Sequence, residues 1–230
     1  MINSIFLVGR TLMDEENFYS FIDSRLLYLL NQLGSRIDIR NYCTIKNDII
    51  RNRKLQIGGI EELVVQISKA LMPVGYEKIV LKYILPSIEF AQKHFLYPFD
   101  DAKTTLEILS KKFRLLLIDN QDNEISRTLK FYNLDKYFDC CILPDMGRDP
   151  NKKIFKLILN MLKIDSKEAI LIGDRLDTHI QMANKLEIIT ILLSNSPFNI
   201  QVPRNQNELP TLTLNKLSEL PDTISAIKQN

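Results

Sequence analysis

The fold is decided by the stretch Ala169-Ile-Leu-Ile-Gly-Asp-Arg-Leu-Asp-Thr-His-Ile180, in which a short apolar run passes through a polar turn into a helical pattern. A short apolar run stopped by glycine is typical of a strand buried on both faces of a parallel sheet. The helical pattern continues to Leu186. Ligands of such sheets usually bind beyond the carboxyl ends of the strands.

The same alternation of apolar runs and amphipathic helices occurs on both sides of this stretch. The other runs are Ile5–Val8, Leu115–Ile118, Cys140–Leu143 and Ile188–Leu193, and Thr211–Thr213 is one more short candidate strand. Strands that alternate with helices build a parallel sheet covered by helices on both faces. The sequence therefore predicts an α/β fold with a Rossmann-like parallel sheet.

The segment after the first run contains helical patterns and no convincing strand. Asp14 is a candidate cap for a long first helix and Gly34 its stop. Pro98 is predicted to restart a helix through Leu109. The prediction is a core domain interrupted by an inserted all-helical cap domain. The core comprises residues 1–14 and 96–230, and the cap comprises residues 15–95.

Composition excludes several function classes. The 230 residues are 45% hydrophobic and 25% charged with a net charge of +2, which gives no field that indicates nucleic acid or a membrane surface. Three cysteines, an odd number, indicate reduced thiols and a cytoplasmic protein. The partner is expected to be a small-molecule or protein ligand whose identity the sequence does not reveal, and the oligomeric state is equally open.

The first apolar run carries a resemblance to a known family. Phe6–Asp14 resembles the first motif of the haloacid dehalogenase-like (HAD) superfamily, where an apolar strand runs into Asp-x-Asp-Gly-Thr-Leu. The Thr-Leu pair matches. Leu7 stands at the nucleophile and Gly9 at the second aspartate.

The other three motifs follow in order after later strands. The second motif has a hydroxyl residue, and here Asp119 and Asn120 follow the strand. The third has a lysine, and its counterpart is Asp149. The fourth resembles Gly-Asp-Arg-Leu-Asp-Thr-Asp-Ile, with Asp174 retained and His179 in place of the second metal-binding aspartate.

These replacements change what the resemblance implies about chemistry. In the family mechanism the first aspartate attacks phosphorus or carbon, and in the phosphatase branches the second transfers a proton. Leu7 has no lone pair to offer, and Gly9 cannot transfer a proton. Asp149 places negative charge where the lysine would balance a phosphoryl group. The resemblance implies a degenerate HAD-like protein, retained for a binding, regulatory or structural role.

The sequence predicts no catalytic residue and two groups of site residues. The ligand-binding group is Asp119, Asn120, Asp149 and Arg10, and the metal group is Asp174 and His179. The sequence establishes no cofactor, but clustered carboxylates at the strand ends could hold Mg²⁺ or Ca²⁺, which favour oxygen ligands. One alternative is a metal-dependent hydrolase with a relocated acidic site of Asp119, Asp149 and Asp174. Another is a subunit that assembles through its cap helices. The simpler interpretation of these aspartates is capping or turn formation, and that of His179 is a surface hydrogen bond.

Overall fold

The computed structural model describes residues 2–55, 59–118, 124–142 and 152–227. The chain divides into an α/β unit, Met1–Asp14 with Tyr97–Asn230, and a helical unit, Glu15–Leu96. Over the described ranges, no helix is both long and apolar enough to cross a membrane. The predicted sites at Asp119, Asn120 and Asp149 lie outside the described residues.

A parallel sheet of six strands organises the α/β unit, with the order β5-β4-β1-β6-β7-β8. Its strands are β1 (Ser4–Val8), β4 (Arg114–Ile118), β5 (Cys140–Ile142), β6 (Ala169–Gly173), β7 (Ile189–Leu193) and β8 (Leu212–Leu214). The two central strands, β1 and β6, are buried along their whole length, as expected for apolar runs covered on both faces. The predicted α/β fold is confirmed, and each predicted run contains a strand.

Helices alternate with the strands of this unit, and the last helix follows the last strand. They are α5 (Ala102–Ser110), α6 (Glu124–Phe131), α7 (Lys152–Leu162), α8 (Gln181–Asn184) and α9 (Leu220–Ile227). One part of the core joins the sheet to α7, where the rings of Phe6 and Phe155 lie 4.9 Å apart. Because β1 pairs in parallel with β6, the carboxyl ends of these two strands lie at the same edge of the sheet.

Two predictions about the ends of the inserted segment are wrong. Asp14 does not cap the first helix but lies in β2 (Met13–Asp14), which pairs antiparallel with β3 (Tyr97–Pro98). Pro98 therefore lies in a strand, and helix α5 starts four residues later. A short antiparallel pair is a long-range contact that local helical signals do not reveal.

The helical unit contains α1 (Glu16–Gln32), α2 (Ile39–Arg51), α3 (Ile60–Leu71) and α4 (Tyr76–His94). Gly34 ends the first helix as predicted. Its φ of +98° is left-handed, and the amide of Ser35 donates to the carbonyl oxygen of Leu30 at 3.0 Å. These features are typical of a glycine-terminated helix end.

A buried polar cluster joins α1 to α2. The Asp23 carboxylate accepts hydrogen bonds from the Tyr42 hydroxyl, at 2.8 Å, and from the Lys46 ammonium group. The ammonium also lies 5.2 Å from the centre of the Tyr19 ring. Burial, and then the charge of Asp23, raise the pKa of Tyr42 far above its ordinary value. The cluster therefore holds a neutral tyrosine and a paired charge inside the helical unit.

Candidate functional site

The segment after β6 departs from regular helical geometry. It forms a π-helix, Leu176–Ile180, that leads into α8. The amide of Ile180 donates to the carbonyl oxygen of Arg175, five residues back, at 3.1 Å. The buried side chain of Gln201 accepts from the amide of Leu176 at 3.0 Å. A π-turn holds one residue more than an α-turn and is frequent at functional sites.

This turn brings together the two predicted metal residues. Asp174 and His179 are 3% and 7% exposed, respectively, and Nδ1 of His179 lies 3.1 Å from Oδ1 of Asp174. The contact lacks hydrogen-bond geometry, and neither atom has a hydrogen-bond partner among the described residues. The hydroxyl of Thr178 is buried in the same way. The predicted surface position of His179 is therefore wrong, because the π-turn directs its ring inward.

The charge environment keeps Asp174 ionised. Burial alone would raise its pKa, but the adjacent His179 and the charge of Arg175 outweigh burial and hold the pKa of Asp174 below its ordinary value. Ser196 acts in the same direction. The structure thus places a buried carboxylate at the carboxyl end of a central strand.

Gly173 permits the close approach of His179. A β-carbon added to Gly173 would lie 2.6 Å from the β-carbon of His179 and 3.2 Å from its Cγ. Carbon atoms pack at about 3.5–4.0 Å, so a larger residue would force the strand and the π-helix apart. The glycine at the end of β6 therefore determines where the imidazole lies.

Arg175 and Asp177 form a second buried pair beside the first. Nε of Arg175 donates to Oδ1 of Asp177 at 3.2 Å, and Nη2 donates to Oδ2 at 3.0 Å. The guanidinium also lies 4.6 Å from the centre of the Phe198 ring. Burial opposes ionisation of Asp177, but Arg175 outweighs it and lowers the pKa of that carboxyl. This arginine is held by a carboxylate and a ring, which makes it a structural group.

The end of β1 lies next to this turn. Leu7 is fully buried and stands in register with Ile172 of β6 and Leu117 of β4. A 3₁₀ turn, Gly9–Leu12, follows the strand and contains the predicted ligand residue Arg10, which is half-buried. The side chain at position 7 is therefore an apolar core group.

A family model of the haloacid dehalogenase-like hydrolases matches residues 69–193, more than half of the chain. The chain belongs to this HAD-like family. The matched residues include β6 and the turn with Asp174 and His179, whereas β1 and its 3₁₀ turn lie before them.

Relatives of this HAD-like chain include phosphatases. Glyceraldehyde 3-phosphate phosphatase of Methanopyrus kandleri is 30% identical over 81 residues, which is 35% of each protein. Human N-acylneuraminate-9-phosphatase is 28% identical over 56% of this chain and 52% of its own length. Glyceraldehyde 3-phosphate phosphatase of Methanocaldococcus jannaschii is 23% identical over 98% of both. The chain thus spans about a third of the first relative, half of the second and nearly all of the third.

Solved structures share the fold. The HAD-hydrolase YfnB of Bacillus subtilis, bound to magnesium, has a TM-score of 0.67 and 17% identity, covering 97% of this chain and 98% of that one. A HAD-like hydrolase of Xanthomonas campestris has a TM-score of 0.70 and 12% identity, covering 99% and 96%. At such identities the likeness concerns the fold alone.

The described residues of this HAD-like chain do not fit the magnesium site that the family implies. Mg²⁺ takes an octahedral set of oxygen ligands. Within the described part of the chain, no three His, Cys, Asp or Glu side chains are grouped to hold a metal ion. Asp174 supplies one carboxylate, and His179 lies against it at 3.1 Å. Leu7 and Gly9, on the neighbouring strand and its turn, supply no carboxylate.

The sequence indicated Asp174 and His179 but not the groups that hold their turn. The sequence patterns did not identify the residues that shape this turn, which are Gly173, Gln201 and the pair of Arg175 with Asp177. The only sequence signal for the ion pair is that Asp177 stands two residues after Arg175 in a polar turn. The contact with Gln201 joins residues 25 positions apart, so local patterns could not reveal it.

Proposed function

We propose that this chain is a HAD-like protein without the aspartyl-phosphate chemistry of its family, retained to bind a ligand or a partner. The observation that carries the proposal is Leu7. It is fully buried in a central strand, where the family resemblance places the nucleophilic aspartate. A side chain without a lone pair forms no covalent intermediate.

The second aspartate of the motif supports the same proposal. Gly9 stands in its place, at the start of the 3₁₀ turn that follows β1. The turn is fixed by local contacts, because the Thr11 hydroxyl donates to the carbonyl oxygen of Val8 at 2.6 Å. Asn195 donates to the carbonyl oxygen of Thr11 at 3.3 Å. The Thr-Leu pair of the motif is kept. The general acid-base group, which is typically worth about 10²- to 10⁴-fold in rate, is absent.

An exposed apolar row on α4 supports a binding role. Tyr76, Ile79, Tyr83 and Phe90 recur at helical spacing and are 37%, 42%, 65% and 46% exposed, respectively. A helix face with several exposed apolar side chains is a candidate interaction site. A protein kept for binding is expected to retain such a surface.

The second candidate function is a metal-dependent hydrolase whose acidic site has moved to Asp119, Asp149 and Asp174. The phosphatase relatives favour it, above all the one aligned over 98% of both chains. It predicts turnover that depends on these carboxylates. The two candidates therefore give opposite expectations in one assay.

The assay uses a broad panel of phosphate esters with Mg²⁺ and the purified wild-type chain. Asp119→Ala and Asp174→Ala are measured beside it, and Asp135→Ala removes an exposed carboxylate as the matched control. We expect no hydrolysis above the buffer rate in any sample. Turnover by the wild type and Asp135→Ala that disappears in Asp119→Ala or Asp174→Ala would establish the second candidate instead.

We also propose the cytoplasm as the site of action. Cys43 is an exposed free thiol in the structure, in keeping with a reducing compartment. Localisation of the tagged full chain by fluorescence tests this. A secreted or membrane-bound pool would contradict it.

A further inference from the structure

The contact between Asp174 and His179 bears on metal binding, which is a separate question from the missing nucleophile. We propose that the His179 imidazole, and not a divalent cation, is the partner of the Asp174 carboxylate in this chain, so that this centre is independent of Mg²⁺. The inference goes beyond the proposed function, because a protein without the nucleophile could still bind a metal ion.

The position of the His179 ring disfavours a cation on Asp174. Nδ1 of His179 lies 3.1 Å from Oδ1 of Asp174, and both atoms are shielded from solvent. A cation on that oxygen would have to approach within about 2.1 Å of it and gather several further oxygen ligands. The imidazole nitrogen faces the same oxygen and is a poor ligand for Mg²⁺. The ring and the ion therefore compete for one oxygen.

The β-carbon of His179 also has little freedom to move. The His179 β-carbon packs against the backbone of Gly173 so closely that even one added carbon would collide with it at 2.6 Å. The π-helix that carries His179 is pinned at its start by the hydrogen bond from Leu176 to Gln201. The β-carbon of His179 can therefore move away from Gly173 and Asp174 only if this turn shifts.

Other metal-binding side chains are scarce near Asp174 in the described part of the chain. Among the described residues, no cluster of three metal-binding side chains accompanies Asp174. The neighbouring strand presents Leu7, and the other nearby carboxylate, Asp177, is occupied by two hydrogen bonds from Arg175. Among the described residues, Asp174 therefore supplies the single uncommitted carboxylate near this turn, and the His179 ring lies against it.

The test is thermal denaturation and isothermal titration calorimetry of the full chain with Mg²⁺ alone. The wild type is expected to show no Mg²⁺-dependent rise in Tm and no binding heat at millimolar Mg²⁺. His179→Asp, which adds a second carboxylate beside Asp174, is expected to gain a Tm rise of a few degrees with Mg²⁺. Gln206→Asp adds the same charge at an exposed position and should gain none.

His179→Asn is the second variant if His179→Asp does not fold, because it supplies an oxygen ligand without adding charge. Mg²⁺ binding by the wild type that is lost in Asp174→Asn would overturn the inference. So would folded variants at position 179 that gain no Mg²⁺ response, because His179 would then not be the group that displaces the ion. Mg²⁺ binding without phosphate-ester turnover would overturn this inference and leave the proposed function intact. Phosphate-ester turnover in the presence of a chelator would overturn the proposed function and leave this inference intact.

Discussion

Gly173→Ala tests the geometry that places His179 against Asp174. The new β-carbon would lie 2.6 Å from the β-carbon of His179, 3.2 Å from Cγ and 3.3 Å from Nδ1. Carbon pairs pack at about 3.5–4.0 Å, so the closest contact is short by roughly 1 Å. The clash is with a β-carbon fixed to the backbone, and no rotation of the imidazole relieves it. Either β6 or the π-helix must move.

The expected cost follows from overpacking of a buried site. Adding a carbon to a well-packed interior costs about 1–3 kcal/mol. For a chain of this length, that corresponds to a fall in Tm of roughly 2–12 °C. The shift should separate His179 from Asp174, so hydrogen exchange should quicken at the end of β6 and in the π-helix.

A double-mutant cycle isolates the predicted contact. His179→Ala retains the β-carbon, so the cost of Gly173→Ala should persist in that background. His179→Gly removes the β-carbon, and the cost should largely disappear, giving a coupling energy of about 1–3 kcal/mol. Thermal and urea denaturation followed by circular dichroism measure both. A Gly173→Ala protein as stable as the wild type, or an equal cost in the glycine background, would refute the geometry.

Three further predictions concern ionisable groups that are wholly or partly buried. Asp23→Ala should reduce the free energy of unfolding by about 3 kcal/mol in urea denaturation, because it orphans the Tyr42 hydroxyl and the Lys46 ammonium, whose side chain is 11% exposed. A loss below about 1 kcal/mol would contradict a cooperative cluster. Burial raises the pKa of Tyr42 in the folded state. The neutral Tyr42 hydroxyl therefore contributes fully to the free energy of unfolding below the unfolded pKa of about 10, and this contribution is lost as pH rises above that value. Tyr42→Phe should therefore lose less stability than the wild type in alkaline urea titrations, and equal slopes would count against this. Arg175 lowers the pKa of Asp177 in the folded state despite burial, so that group stabilises the fold above its unfolded pKa of about 3.9 and ceases to do so as pH falls through the folded value. The stability difference between wild type and Asp177→Asn should shrink on acidification, and a constant difference would argue against the pair.

The strands were predictable because their burial is local information. Runs such as Leu115–Ile118 are apolar at every position, and only a strand covered on both faces buries such a run completely. The spacing of Asp174 and His179 after β6 likewise placed both residues at one sheet edge, where the structure has them in contact.

The parts that sequence did not predict depend on geometry or on distant contacts. A π-turn differs from an α-turn by one residue, which apolar periodicity does not resolve. The burial of Arg175 depends on Phe198, more than twenty residues away. Pro98 was misassigned for the same reason, because its strand partner is Met13. Asp119, Asn120 and Asp149 lie outside the described residues and stay predictions.

The absence of aspartyl-phosphate chemistry is tested by a search for the covalent intermediate itself. The wild-type chain is incubated with phosphate esters and Mg²⁺, quenched in acid and analysed by intact-mass spectrometry, with Leu7→Asp, Gly9→Asp as the restored double variant. No phosphoryl adduct is expected on the wild type, because Leu7 cannot act as the nucleophile. A phosphoryl adduct on an aspartate of the wild-type chain would show that the family chemistry survives and would contradict this expectation.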